Sequence, residues 1–213
     1  MVNDSRFYYG VGLLIILISF AVFALGFEKR KPRAREIVML VCMISFAVIG
    51  RVIFYMTPQV KPCAAIIIIT GIALGKNAGF LTGAMTAFVS NFFMGQGPWT
   101  PWQMLAFGLL GYIFGIAYGK RSVGSYIPNK QKAFICLMGM LATIVVYGVI
   151  MDTATVLMST DSPSVQAFIT AYTAGVIMNV IHSISTFIFL WFMLIPMLKK
   201  IDRVNIKYGM YVK

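Results

Sequence analysis

The feature that most constrains this chain is a succession of seven long apolar runs, with nearly all of its charge confined between them. They cover residues 8–27, 36–56, 62–75, 78–95, 102–119, 133–152 and 165–198, here spans A to G. A bilayer core takes about 20 apolar residues per helix. Inside lipid a backbone must satisfy its own polar groups, and for runs of this length the helix does that. Of the 213 residues 60% are hydrophobic and 11% charged, against about 25% charged in a soluble domain. So few charges cannot cover a soluble surface. The fold class expected is therefore an all-α integral membrane protein with one bundle.

The net charge of +12 could suggest nucleic acid, but the basic residues gather at the ends of apolar runs. That placement fits topology signals and anionic-lipid contacts, with no nucleic acid as partner. If all seven spans cross, Lys29, Arg30, Lys31, Arg33, Arg35, Lys76, Lys120, Arg121, Lys130, Lys132, Lys199, Lys200, Arg203, Lys207 and Lys213 share one side. Arg6 and Lys61 lie opposite, and Arg51 lies within span B. If the short span C merged with D into one crossing, nine of the fifteen would change sides. The positive-inside rule thus favours seven crossings in a cell membrane, the amino terminus outside and the carboxyl terminus cytoplasmic. Span A is not expected to be a cleaved leader: only Arg6 precedes it, no small-residue cleavage site follows, and its basic cluster comes after it.

Small residues at four-residue spacing let membrane helices approach closely. Span C has Gly71 and Gly75, span D has Gly79, Gly83 and Ala87, and span E has Gly111, Gly115 and Gly119. These stripes suit packing within the bundle. Alternatively, the stripe on D, or the small residues Cys42, Ser45 and Ala47 on B, docks a partner membrane subunit.

Ionisable and amide groups inside the membrane are the candidates for function. Arg51 lies in the outer half of span B, where it either snorkels to the interface or points into a polar cavity. Asp152 ends span F on the same side, within reach of an Arg51–Asp152 pair. Asn91 sits near the outer end of D; Asn179 and His182 lie one turn apart in G, and each suits an interhelical hydrogen bond or a ligand contact. The loop from D to E reads Gly95-Gln96-Gly97-Pro98-Trp99-Thr100-Pro101-Trp102-Gln103-Met104. Its prolines and glycines make a stiff turn. Trp99 and Trp102 are either belt residues or, with Gln96 and Gln103, the wall of a pocket for a neutral, flat or bulky organic ligand. Tyr55 and the B–C loop, with Gln59 and Lys61, complete that rim.

No GxxxxGK[ST], HExxH or GxSxG occurs, and the six acidic residues form no pair within one membrane face. Nucleotide hydrolysis, metal catalysis and acid–base catalysis therefore find no constellation here, and an enzyme is not expected. The one histidine excludes a His-cluster metal site, and Cys42, Cys63 and Cys136 form no CxxC. A proton or sodium relay lacks core carboxylates. A stand-alone transporter or channel remains the alternative to a capture protein.

The stretch from span B to span E resembles the substrate-binding S component of an energy-coupling-factor (ECF) vitamin transporter. The residues that carry the likeness are Arg51-Val52-Ile53, Lys61-Pro62, the run 69–84, Ser90-Asn91-Phe92-Phe93, and above all Gly95 to Met104 with its Pro-Trp-Thr-Pro-Trp core. The resemblance implies that residues 36–198 form the six-helix bundle, with 1–35 an added amino-terminal helix and basic loop and 199–213 a basic cytoplasmic tail. It implies capture of a vitamin or precursor from outside, toppling in the membrane, and delivery with a membrane coupling subunit and two cytoplasmic ATPases. ATP would be used by those partners, with no cofactor in this chain. Such proteins often dock through Ala-xxx-Ala on their first helix; here Met43 and Ala47 fall at that spacing, and Gly79, Gly83 and Ala87 on D share the role. The Gly-Gln-Gly-Pro-Trp run is similar to S components for cobalamin and related corrinoids, which makes a corrinoid the substrate expected. Queuosine precursors, riboflavin, pantothenate and folate stay open.

Overall fold

A computed structural model describes Gly10, Leu14 and residues 34–119, 121–160 and 163–210. Arg6, the rest of span A, the basic residues of 29–33, Lys120 and Lys213 lie outside the described residues. Among those described, six helices correspond to spans B to G. They are α1 (Ala34–Ile53), α2 (Cys63–Leu74), α3 (Lys76–Met94), α4 (Thr100–Tyr118), α5 (Asn129–Ser159) and α6 (Val165–Tyr208). Four of them, α1, α4, α5 and α6, are long and apolar enough to cross a membrane. Large apolar side chains such as Val38, Phe46, Phe93, Ile177 and Phe192 are exposed on the outside of the bundle, the surface a lipid solvent favours.

At 12 residues, α2 is about 18 Å long, well short of the ~30 Å hydrocarbon core. Its place in the bundle makes that length workable. Four consecutive isoleucines, Ile66 to Ile69, leave it without a polar face, and it is buried along nearly its whole length. Helices α1, α3, α4 and α6 all pack against it, so protein covers it where lipid would otherwise meet loop backbone.

Gly75 joins α2 to α3 with φ at 93°, a conformation that glycine adopts without steric penalty. The two helices then fold back against α4 at backbone contact. A Cβ on Gly71 would fall 2.2 Å from the Gly111 carbonyl oxygen, and one on Gly79 would fall 2.4 Å from it. Gly83 meets the Phe107 carbonyl in the same way. The glycine stripes are thus used for packing within the bundle.

Two helices outrun their sequence spans. Span F, read to Asp152, continues to Ser159 through a π turn at Thr143–Gly148. Span G, read to Leu198, continues through Pro196 and the basic residues to Tyr208. At 44 residues α6 is about 66 Å long, so its last turns lie beyond any bilayer core. Residues 199–208 are accordingly the end of this helix. There Asp202 accepts from the Arg121 guanidinium and from the Gly124 amide, tying the α4–α5 connection to α6.

Candidate functional site

Three apolar helices carry polar residues at one end of the bundle, and burial forces those residues to find one another. Arg51, on the last turn of α1, is 5% exposed. It therefore does not snorkel. Its guanidinium donates to Ser90 Oγ, to Asn91 Oδ1 at 3.1 Å and to Gln103 Oε1 at 3.1 Å. The planar fork of arginine suits such divided donation. Asn91 donates onward to Thr100 Oγ1 at 2.9 Å and Gln103 Oε1 at 3.0 Å. Thr100 donates to Gln96 Oε1, whose amide in turn caps the Phe88 carbonyl. Thus α1, the end of α3 and the start of α4 are locked by one continuous network.

Beneath the guanidinium lies an aromatic group. The Arg51 Cζ stands 5.6 Å from the Phe107 ring centre, within cation–π range. Phe107 contacts Tyr147 at 4.6 Å, and Tyr147 meets His182 edge-on at 4.6 Å. Tyr147 belongs to the π turn, an irregularity often found at functional sites. His182 is 2% exposed, and its Nδ1 has no hydrogen-bond partner among the described residues.

The α1–α2 loop closes this end. Thr57 Oγ1 donates to the Phe54 and Val60 carbonyls, and Gln59 adopts φ of 58°. The Lys61 amide donates to Ser185 Oγ of α6 at 3.0 Å, while its ammonium reaches the Thr57 carbonyl at 3.3 Å. Burial pushes the Lys61 ammonium below its ordinary value; Cys63 opposes that shift and the Arg51 charge adds to it.

The structure therefore unites Arg51, Asn91, Gln96 and Gln103 in one network, with Lys61 and His182 beside it. The geometry excludes the Arg51–Asp152 pair: Arg51 is held by α3 and α4, while Asp152 accepts from Asn179 Nδ2 at 2.8 Å. That second pair joins α5 to α6 and abuts Gly175. Tyr55 and Trp99 are exposed rim residues, and Gln59 and Trp102 are half-buried. The five residues expected to dock a partner, Met43, Ala47, Gly79, Gly83 and Ala87, are all buried within the bundle. The exposed face of α1 instead runs through Val38, Val41, Cys42, Ser45 and Ile49.

Sequence reasoning missed Ser90 and Thr100 as network members, although each adjoins a residue it singled out. It also missed Phe107 and Tyr147, since an aromatic side chain in an apolar run carries no signal of its own.

Comparison with known proteins places these features in a family. A UPF0397 protein of Vibrio atlanticus (strain LGP32) is 28% identical over 91 residues, 41% of this chain and 50% of that protein. The chain thus spans about half the length of that curated relative. No solved structure matches. The family model described as "ECF-type riboflavin transporter, S component" matches residues 31–196. That match covers most of the chain and all six helices up to Pro196, and the protein belongs to this family of S components.

Proposed function

We propose that the chain is the capture subunit of an ECF-type importer, that it holds a flat, hydrogen-bonding heteroaromatic vitamin of the flavin class, and that it delivers this ligand with a membrane coupling subunit and two cytoplasmic ATPases. The observation that carries the ligand class is the Phe107–Tyr147–His182 ring cluster under Arg51, with the His182 Nδ1 unpartnered among the described residues. Rings offer stacking surface, and the half-buried Gln103 side chain borders it with a polar edge. The riboflavin description of the matching family supports the same class. In this reading the basic side of the bundle faces the cytoplasm, the Trp99 loop faces outward, and the exposed face of α1 meets the coupling subunit. The site is closed by the loops around Thr57 and Gly97, so ligand entry parts them.

A second reading, a corrinoid ligand, rests on the Pro-Trp-Thr-Pro-Trp rim and its half-exposed tryptophans. One experiment separates the two. The protein is purified from cells grown in rich medium, and the molecule it retains is identified by mass spectrometry. Riboflavin and cobalamin are then titrated into the emptied protein. Retention and tight binding of a flavin is the expected result. A retained corrinoid selects the second reading, and a protein that neither retains nor binds a vitamin refutes both.

A further inference from the structure

At the opposite end of the bundle the α4–α5 connection and the last turns of α6 enclose a pocket of ≈ 590 Å³. It is far from the Arg51 network. Arg35, in the first turn of α1, reaches the Tyr208 carbonyl of α6, whereas Arg51 lies about 24 Å further along α1. The pocket combines two chemistries. Lys199, Arg203 and Lys207 recur every four residues of α6, hence on one face, and line it as exposed cations. Ile195 and Leu198, the last apolar turn before those cations, line it as well, and Tyr126, 82% exposed, stands at its edge.

The local acid does not neutralise the stripe. Asp202 also lines the pocket, but its carboxylate is taken by Arg121 and the Gly124 amide. Glu36, the other described acid at this end, is not among the lining residues. A small inorganic anion would use the cations and leave the apolar floor unmatched. A ligand with a charged head and hydrocarbon tails uses both. The passage from apolar to basic residues on α6 is the pattern that suits a hydrocarbon-to-headgroup boundary.

We propose that this pocket is a binding site for an anionic phospholipid: Lys199, Arg203 and Lys207 hold the phosphate headgroup, Ile195 and Leu198 meet the acyl chains, and Tyr126 sits at the interface. The assignment is independent of the vitamin bound at the other end.

The test is native mass spectrometry of the full chain in mild detergent, titrated with phosphatidylglycerol and with phosphatidylcholine of the same acyl chains. A K199Q/R203Q/K207Q variant is compared with a K76Q/K130Q control, which removes two exposed lysines that do not line the pocket. Melting temperatures confirm that both fold, and K207Q alone serves if the triple variant does not. Phosphatidylglycerol is expected to bind at least tenfold more tightly than phosphatidylcholine. The triple variant loses that preference, K207Q loses part of it, and the control keeps it. Inorganic phosphate at millimolar concentration leaves the lipid in place. Equal binding of the two lipids, or an undiminished preference in the variants, overturns the proposal. So does displacement by phosphate, which would indicate a free-anion site. Loss of a co-purifying acidic protein from the triple variant, with lipid binding unchanged, would assign the stripe to that partner and likewise overturn it.

Discussion

Replacing Arg51 by methionine tests whether the buried network is understood atom by atom. The guanidinium has three acceptors, and they do not suffer equally when it goes. Ser90 Oγ still donates to the Ala87 carbonyl at 3.2 Å, and Gln103 Oε1 still accepts from Asn91 Nδ2 at 3.0 Å. Asn91 Oδ1 alone loses its partner. One buried acceptor left unpaired costs about 1–3 kcal/mol. Removing a buried guanidinium also removes its desolvation penalty, which keeps the total toward the lower part of that range. At about 2–4 °C per kcal/mol for a chain of this length, a loss of about 1–2 kcal/mol should lower the melting temperature of R51M by roughly 2–8 °C. Thermal unfolding in detergent, followed by tryptophan fluorescence, reads this directly. The double variant R51M/N91L sharpens the test. It removes the stranded oxygen, but it also takes away the last partner of Gln103 Oε1, so it should be no more stable than R51M. A double variant restored to the parent melting temperature would refute the reasoning. A loss above about 5 kcal/mol in R51M alone would do the same, because it would mean that the charge and not one acceptor holds the network together.

Three further perturbations follow from the same geometry. In G111A the new Cβ would fall 2.2 Å from the Gly79 carbonyl oxygen; backbone cannot rotate aside, so a loss of about 3 kcal/mol or more is expected, seen as a lower melting temperature and poorer monodispersity. Asn205 is fully buried with neither amide atom partnered among the described residues, and N205L, similar in volume, should match or exceed the parent in stability by up to about 3 kcal/mol in the same melt; a fall of that size would reveal a partner for the amide. Lys61 binds its proton less tightly folded than unfolded, so the unfolded chain carries more protons between the lowered folded value and 10.5. Stability therefore rises with pH across that window, and K61Q should flatten the rise in melting temperature measured from neutral to alkaline pH.

The helices were legible because lipid demands long apolar runs, and such runs are visible in a single sequence. Their ends were less so, because hydropathy marks where lipid stops and not where the helix stops: α6 keeps its hydrogen bonds for ten residues past Leu198, down to Tyr208. The glycine stripes were legible as close-approach surfaces, but their partners were not, since a small residue announces proximity without naming what comes near. For Gly79 and Gly83 the neighbour proved to be α4.

The site divides along the same line. Arg51, Asn91 and Gln103 stood out because each is costly in lipid without a partner, and that cost also guaranteed that partners would be found. Which partners depended on helix rotation. Coulomb attraction alone would join Arg51 to Asp152, yet α5 carries a π turn at Thr143–Gly148. A π turn adds about one residue, roughly 100° of rotation, to whatever follows it. Positions counted from Ala133 at 3.6 per turn therefore lose their face before Asp152 is reached. Tyr147, inside the turn, meets His182 and Phe107, while Asp152, beyond it, meets Asn179 and Gly175. The irregularity that sets Tyr147 into the ring cluster also turns the carboxylate away from Arg51. Among the described residues it leaves the only guanidinium of that end bound to neutral amides and hydroxyls, and such partners hold it in place while leaving its charge uncancelled.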